Sequence, residues 1–324
     1  EKEIVSFEPK LALYGGLDGL SEIRKVIKKS SELIKKNGIF ILEIGFDQKN
    51  KAINFLKKEG LEPDYHIATP NHSAIAMIED GTVQVTQSAV SASWNPLEKK
   101  RDLPFKHFAQ INLKDGFFII AKEPDPKFTW DKLKGARMIV DHGGQPLAMF
   151  RYACHKAGVE FDKIEALDLG GSEEMEAGFR AGRADYAHFQ GPVPQQLEKD
   201  GAGYVVASVG ETIGPVAFSS LAASPEWLQT DMAKAFMRAY REARQFCIET
   251  RAEEIAKIED GYFAGIGQPA LISCLKAYQN LGNWHPSVDI SESSYETALD
   301  VFAHCGLITK RHPYSVVVTS PPDA

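Results

Sequence analysis

Apolar positions along this chain follow two rhythms. Residues 20–36 place Ile23, Val26, Ile27, Leu33 and Ile34 close to a helical period with lysines on the other face, and Asn37-Gly38 supplies the left-handed-tolerant end such a helix needs. Ile39-Phe40-Ile41-Leu42-Glu43-Ile44 is an almost unbroken apolar run, as in a strand covered on both faces of a parallel sheet. A helix over 48–58 and a strand over 65–68 complete a strand–helix–strand unit. The pattern then predicts a helix at 73–80, a strand at 83–86 entering the small-residue turn 87–93, and strands at 105–112 and 117–121. A two-proline connection at 123–129 follows. Further strands are predicted at 137–140, 164–169, 186–189 and 204–208, with helices from about 145 to 157 and at 172–181. Beyond Pro225 helices dominate, over 225–250, 269–281 and 291–304, with a break at 261–267. Alternating strands and helices before a helical tail predict an α/β architecture with parallel sheets.

Composition changes this picture at one point. Of 324 residues, 44% are apolar and 25% charged, ordinary for a globular chain, and the length allows two domains. Up to Gly60, however, the basic residues are 11 Lys and a single Arg, whereas 15 Lys and 10 Arg follow. The first 60 residues, with 12 basic and 9 acidic groups, carry +3; the rest, with 25 and 35, carry −10, which together give the overall −7. Lys and Arg differ in geometry and hydration, and nothing in folding demands such a switch, so the seam at Gly60 reads as a join between two ancestries. It falls inside the strand–helix–strand unit rather than between domains. The modest acidity argues against nucleic acid as a partner, and no window approaches the roughly 20 apolar residues of a membrane-spanning helix. Cys154, Cys247, Cys274 and Cys305 are scattered without a Cys-x-x-Cys pair, so buried free thiols are expected rather than a metal or redox centre.

The candidate chemistry is that of reversible binding. Gly143-Gly144, after a strand and before a helix, lets backbone N–H groups converge on an anionic edge, or makes a tight turn and nothing more. Gln87, Ser88 and Gln190 are neutral hydrogen-bonders at strand ends, suited to orienting a polar ligand. Trp94 and Phe46 are placed to stack on a planar ligand or to fill the core. His66, His72, His107 and His142 could approach one another around a metal, although a structural or surface role is the better expectation for each.

Four stretches carry a resemblance. They are Ala74-Ile75-Ala76-Met77-Ile78-Glu79-Asp80-Gly81-Thr82-Val83, then Leu133-Lys134-Gly135-Ala136-Arg137-Met138-Ile139-Val140, then Gly178-Phe179-Arg180-Ala181-Gly182-Arg183-Ala184-Asp185, and Gln190-Gly191-Pro192-Val193-Pro194. In this order and spacing, from about residue 62 onward, the chain resembles ABC-transporter solute-binding proteins of the sulfonate, nitrate and thiamine-precursor group. The resemblance implies a two-lobed periplasmic-binding-protein-like (type II) fold, with lobe one at 61–116 plus 219–324 and lobe two at 117–218. Residues 117–121 and 212–219 are its expected crossing strands. It also implies a monomeric binder of a small, planar or anionic metabolite that works with ABC-transporter membrane subunits in the periplasm or as a lipid-anchored extracellular protein. No cofactor, metal or catalytic residue is implied. Its ligand loops correspond to Phe46, Asn71, Gln87, Ser88, Trp94, His142, Gly143, Gly144, Gln145, Gln190, Gly191 and Thr212.

The first 60 residues differ. Phe7-Glu8-Pro9-Lys10-Leu11-Ala12-Leu13-Tyr14-Gly15-Gly16-Leu17-Asp18-Gly19-Leu20 and Ile39-Phe40-Ile41-Leu42-Glu43-Ile44-Gly45-Phe46-Asp47-Gln48 are similar to the C-terminal part of release factor glutamine methyltransferases. That family's Asn-Pro-Pro-Tyr substrate motif and Gly-rich cofactor turn are missing, so no methyl transfer is expected. Residues 1–60 read as a fragment of a Rossmann-like methyltransferase, of which 39–60 could complete lobe one. Two alternatives stay open at this point: an enzyme of the thiamine-pyrimidine-synthase type on the same fold, whose Cys-rich motif is not found here, and a chimera without function.

Overall fold

The computed structural model describes residues 57–68, 72–141, 143–260, 262–263 and 265–323. The predicted helix at 20–36, the strand at 39–44 and most of the helix at 48–58 lie outside these residues. In chain order the described elements are α1 (Ala74–Glu79), β1 (Val85–Ser88), α2 (Trp94–Glu98), β2 (Lys106–Asn112), β3 (Phe117–Ala121), β4 (Arg137–Val140), α3 (Gly144–Lys156), β5 (Glu165–Asp168), α4 (Ser172–Arg180), β6 (Tyr186–Gln190), α5 (Val193–Lys199), β7 (Tyr204–Ser208), α6 (Val209–Ile213) and β8 (Ser219–Ala223). The tail is helical: α7 (Asp231–Glu249), α8 (Ala252–Glu259), α9 (Gln268–Leu281), α10 (Glu292–His304) and the short α11 (Tyr314–Val317).

The strands form two sheets, ordered β1-β8-β2 and β5-β4-β6-β3-β7. β3, Phe-Phe-Ile-Ile-Ala, is buried at every position because helices cover both faces of the larger sheet. Met138, Val140 and Ile119 face the cluster built with α3 and α10, whereas Ile139, Ile120, Ala187 and Phe189 face α4 and α5. The sheets are related by an exchange of strands. β2, at one edge of the small sheet, hands the chain to β3 inside the large one; β7, at one edge of the large sheet, hands it back through α6 to β8 inside the small one. In each sheet the strand that arrives is antiparallel to both neighbours. The expectation of parallel sheets therefore holds only for β5-β4-β6.

The two crossing segments touch. The Val216 N–H donates to the Leu113 carbonyl (2.8 Å), and buried Asn283 receives both neighbouring amides, Leu113 N–H on its carbonyl (3.0 Å) and Lys114 N–H on its side-chain oxygen (3.0 Å). Ala217 N–H is bonded to Ser294 O at the start of α10. The helical tail thus clamps the passage between the sheets.

Several predicted elements shift. Residues 65–68 form no ladder and are exposed, with Tyr65 and Ile67 both over 60% accessible, so periodicity alone misread them as a strand. The crossing strand expected at 212–219 is instead α6, capped by the Ser208 hydroxyl on Glu211 N–H, then Gly214 at φ 86° and a strand beginning only at Ser219. The helix expected from 225 starts at Asp231, where the Thr230 hydroxyl accepts from Ala233 N–H. Residues 193–199, for which the sequence pattern predicted no element, are helical, and Pro194 sits in the first turn, where a missing N–H costs nothing.

Candidate functional site

Ligands in open α/β sheets bind beyond the carboxyl ends of strands, and two cavities open there. The larger, about 680 Å³, lies between the loop after β1 and the loop after β4; Ala89, Ser91, Asn95, Arg101, Gly144 and Gln145 are among its walls, with Glu79 and Asp102. The smaller, about 220 Å³, lies at the ends of β4 and β6, bounded by Phe117, Asp141, Ser172, His188, Gln190 and Gly191.

The larger cavity is shaped by the start of α3. Gly143 (φ 141°) and Gly144 (φ 62°) both occupy backbone conformations that favour glycine, and no side chain caps the helix. Gly144 and Gln145, the first residues of α3, line the cavity, so the positive end of the helix lies at its wall. Gln145 bridges the two sheets' territories: its Oε1 accepts from the Ser91 hydroxyl (3.1 Å) and its Nε2 donates to Phe218 O (2.7 Å).

At the smaller cavity, the Gln190 side chain hydrogen-bonds the Tyr278 hydroxyl, which donates to Gly116 O (3.1 Å), and Gly191 N–H also reaches Gly116 O (3.2 Å). Gly191 is packed so closely that a Cβ there would sit 2.7 Å from Cys274 Sγ. Beneath lies His188, fully buried, its ring stacked between Phe117 (4.5 Å) and Phe150 (5.0 Å). Burial pushes its pKa down to about 3, so it is neutral.

The sequence-predicted residues therefore divide. Gly144 and Gln145 line one cavity and Gln190 and Gly191 the other. Gly143 caps α3 beside the first. Ser88 ends β1, where its carbonyl accepts from the Ser220 hydroxyl (3.1 Å), and Gln87 is exposed on the same strand. Thr212 donates back to Ser208 O within α6 (3.2 Å) and reaches neither cavity. Trp94 is 1% exposed and packs edge-on to Phe302 and Tyr295, its indole N–H bonded to the Tyr295 hydroxyl (3.1 Å), so it fills the core rather than offering a stacking face. Phe46, Asn71 and His142 lie outside the described residues.

His188 was missed by the sequence reading; its only signal is a lone histidine in an apolar strand two residues before a strand-end loop. Of the histidines considered as a cluster, His107 is buried between the hydroxyls of Ser220 (2.8 Å) and Ser93 (3.2 Å), while His66 and His72 pair with Asp64 and Asp80 at the surface. Among the described residues no group of His, Cys, Asp and Glu is arranged to hold a metal ion. Cys154 and Cys274 are buried and Cys247 and Cys305 half-buried; burial lifts the thiols of Cys154 and Cys274 to about 12, which leaves them unreactive. No helix among the described residues is long and apolar enough to cross a membrane.

Strand exchange between two sheets, with clefts at strand ends, defines a mixed α/β protein of the kind built to hold a small ligand. The chain belongs to the NMT1/THI5-like family, whose model matches residues 50–254. It is 24% identical over 272 residues to the putative binding protein YtlA of Bacillus subtilis, covering 82% of this chain and 80% of that one. Its fold matches that of the alkanesulfonate-binding protein SsuA from Xanthomonas axonopodis bound to MOPS, at 17% identity and a TM-score of 0.63 over 84% of this chain and 93% of the other. A 58-residue stretch is 38% identical to the release factor glutamine methyltransferase of Clostridium acetobutylicum, 18% of this chain but only a fifth of that enzyme's length.

Proposed function

We propose that the protein is a non-catalytic binder of a small polar solute, planar or anionic in character, that presents it as a monomer to the membrane subunits of an ABC importer outside the cytoplasmic membrane. In this reading lobe one comprises 61–116 and 219–324, lobe two comprises 117–218, and the methyltransferase-like stretch in the first 60 residues contributes no methyl transfer. The observation that carries it is the pair of hydrogen-bonded crossing segments at Leu113 and Val216 between two sheets whose strand-end loops face cavities. Such a passage allows hinge closure over a ligand. The likeness to YtlA supports a binding role, and the uncapped start of α3 at the larger cavity, where Arg101 stands with Glu79 and Asp102, supports a polar ligand.

Differential scanning fluorimetry against taurine and alkyl sulfonates, thiamine precursors, nitrate and polyamines tests the reading. Binding stabilises the native state by mass action, roughly 2.7 kcal/mol at a hundredfold excess over Kd. A shift with one ligand class, weakened by Gln145→Ala or Gln190→Ala, is the expected result. A cooperative melt that no compound moves would refute it, and turnover of a bound compound would favour the enzyme alternative.

A further inference from the structure

Movement of the two lobes must be absorbed where the chain passes between the sheets, and one of those passages holds a buried acid. Asp115 lies in the connection from β2 to β3 and is fully buried. Its Oδ1 accepts from Phe117 N–H (2.6 Å), and among the described residues no donor reaches Oδ2. Burial lifts the carboxyl from 3.8 to about 7; the Phe117 amide opposes the rise, and no cation among the described residues offsets it.

The walls around Asp115 come from both lobes. On the lobe-two side Gly210 of α6 lies so close that a Cβ there would meet the Asp115 carbonyl oxygen at 2.2 Å. On the lobe-one side Asn283 takes the Lys114 N–H on its side-chain oxygen (3.0 Å), while its own amide nitrogen has no partner among the described residues. Tyr278 of α9 donates to Gly116 O (3.1 Å) and is close enough to feel the Asp115 charge. Burial raises the Tyr278 hydroxyl and, one turn earlier, the Cys274 thiol, so both are uncharged at pH 7. Glu211 of α6 is exposed, and Lys114 is half-buried on Asp115's own segment. A carboxyl sealed by two bodies stays sealed only while they stay together. Rotation about the passage lifts one wall away and admits water, which favours the ionised form. The same segment is tied to the loop after β6, since Gly191 N–H reaches Gly116 O (3.2 Å). Lobe position, loop and proton therefore meet within Asp115–Phe117.

We propose that Asp115 makes the closure of the lobes proton-sensitive: its carboxyl is neutral while the lobes are together and ionises as they part, so that closing takes up a proton and the grip on a solute weakens as pH rises toward neutrality. This rests on the solute-binding reading above and adds its regulation. The sign follows from linkage. The neutral form favours closure fully below about pH 4, the closed-to-open ratio then falls by up to about tenfold per pH unit, and it levels off once pH has passed 7.

The test uses the full chain without solute. Small-angle X-ray scattering follows lobe separation from pH 5 to 8, and ¹³C spectra follow the Asp115 carboxyl. The expected result is a radius of gyration that grows as pH rises toward 7, an Asp115 signal that titrates over the same range, and an Asp115→Asn variant that keeps the smaller radius throughout. If Asp115→Asn does not fold, coincidence of the two titrations in the parent chain decides. A radius indifferent to pH, the same growth in Asp115→Asn, or an Asp115 carboxyl that titrates near 4 overturns the proposal. The His155 and His304 rings, stacked between α3 and α10 (4.3 Å), act with the opposite sign, because protonating both sets two cations face to face. Growth toward acid that Asp115→Asn retains therefore belongs to that pair and also overturns the proposal. Each of these failures leaves the solute-binding reading intact; that reading fails separately if no compound of the solute panel shifts the melt at pH 5 or at pH 8.

Discussion

Replacing Tyr295 by Phe removes one oxygen from the centre of the largest core cluster. Its hydroxyl accepts from the Trp94 indole N–H (3.1 Å) and donates to the His312 carbonyl (2.9 Å), and Tyr295 itself is fully buried. The ring remains, so little apolar packing is lost; what changes is that a buried donor and a buried acceptor lose their partner together. Each such loss costs about 1–3 kcal/mol, and the His312 carbonyl recovers part of its share by small adjustments, so the predicted destabilisation is roughly 2–4 kcal/mol. Equilibrium urea unfolding should show the midpoint falling with an unchanged slope, because the surface exposed on unfolding is the same. Trp94→Phe and the double variant complete a cycle with a coupling of about 1 kcal/mol. A Tyr295→Phe loss below about 0.5 kcal/mol, or a Trp94→Phe variant of full stability but weakened ligand binding, would refute the assignment of Trp94 to the core.

Three further outcomes follow from the same geometry. Gly210→Ala places a Cβ 2.2 Å from the Asp115 carbonyl oxygen, backbone that has no rotamer to give way, so a loss of at least about 1–3 kcal/mol is expected in thermal unfolding. Asp115, fully buried with Oδ1 accepting from Phe117 N–H (2.6 Å) and Oδ2 unpartnered, has its pKa raised from 3.8 to about 7 by burial; its contribution is present below about pH 4 and lost as pH rises through 7. Asp115→Asn, which keeps the acceptor but cannot ionise, should therefore gain on the parent chain across that window, by roughly 4 kcal/mol at most, and a pH-independent difference in urea unfolding would count against it. His107, pressed from 6.5 down to about 3 by burial, contributes stability above pH 6.5 that is lost as pH falls toward 3. His107→Leu, which breaks both serine contacts, should cost about 2–4 kcal/mol at pH 7.5, with the gap narrowing in acid as followed by circular dichroism.

The large sheet was legible because its strands are bounded by turn residues and saturated with apolar side chains: 137–140 and 117–121 coincide with β4 and β3 residue for residue. The connection at 212–218 was not, because Val209 to Ile213 is too short for a helical period to declare itself and its cap, Ser208, doubles as the last strand residue. Residues 65–68 misled for the opposite reason, since two large apolar side chains in an exposed segment imitate alternation. Of the candidate site, the loops that follow strands and begin helices could be named, and Gly144, Gln145, Gln190 and Gly191 line the cavities. What sequence could not supply was tertiary pairing. Trp94 could stack on a ligand or fill the core until Tyr295, about 200 positions away, claims its N–H, and nothing in the sequence near His188 announces the two phenyl rings that enclose it.

The order of strands in the small sheet also dictates how the chain is made. β1 and β2 share no ladder among the described residues; the ladder partner of each is β8, which lies more than a hundred positions later than either, and β2 is further bridged at His107 by Val318, later still. All five strands of the large sheet, by contrast, are complete by Ser208. As the chain leaves the ribosome, the large sheet can close locally while β1 and β2 wait with open edges, and the small sheet forms only when β8 slides between them. Non-local closure of this kind is slow, and waiting edges invite pairing with other chains. The exchange that joins the sheets thus leaves the edges of β1 and β2 open at least until β8 has been made.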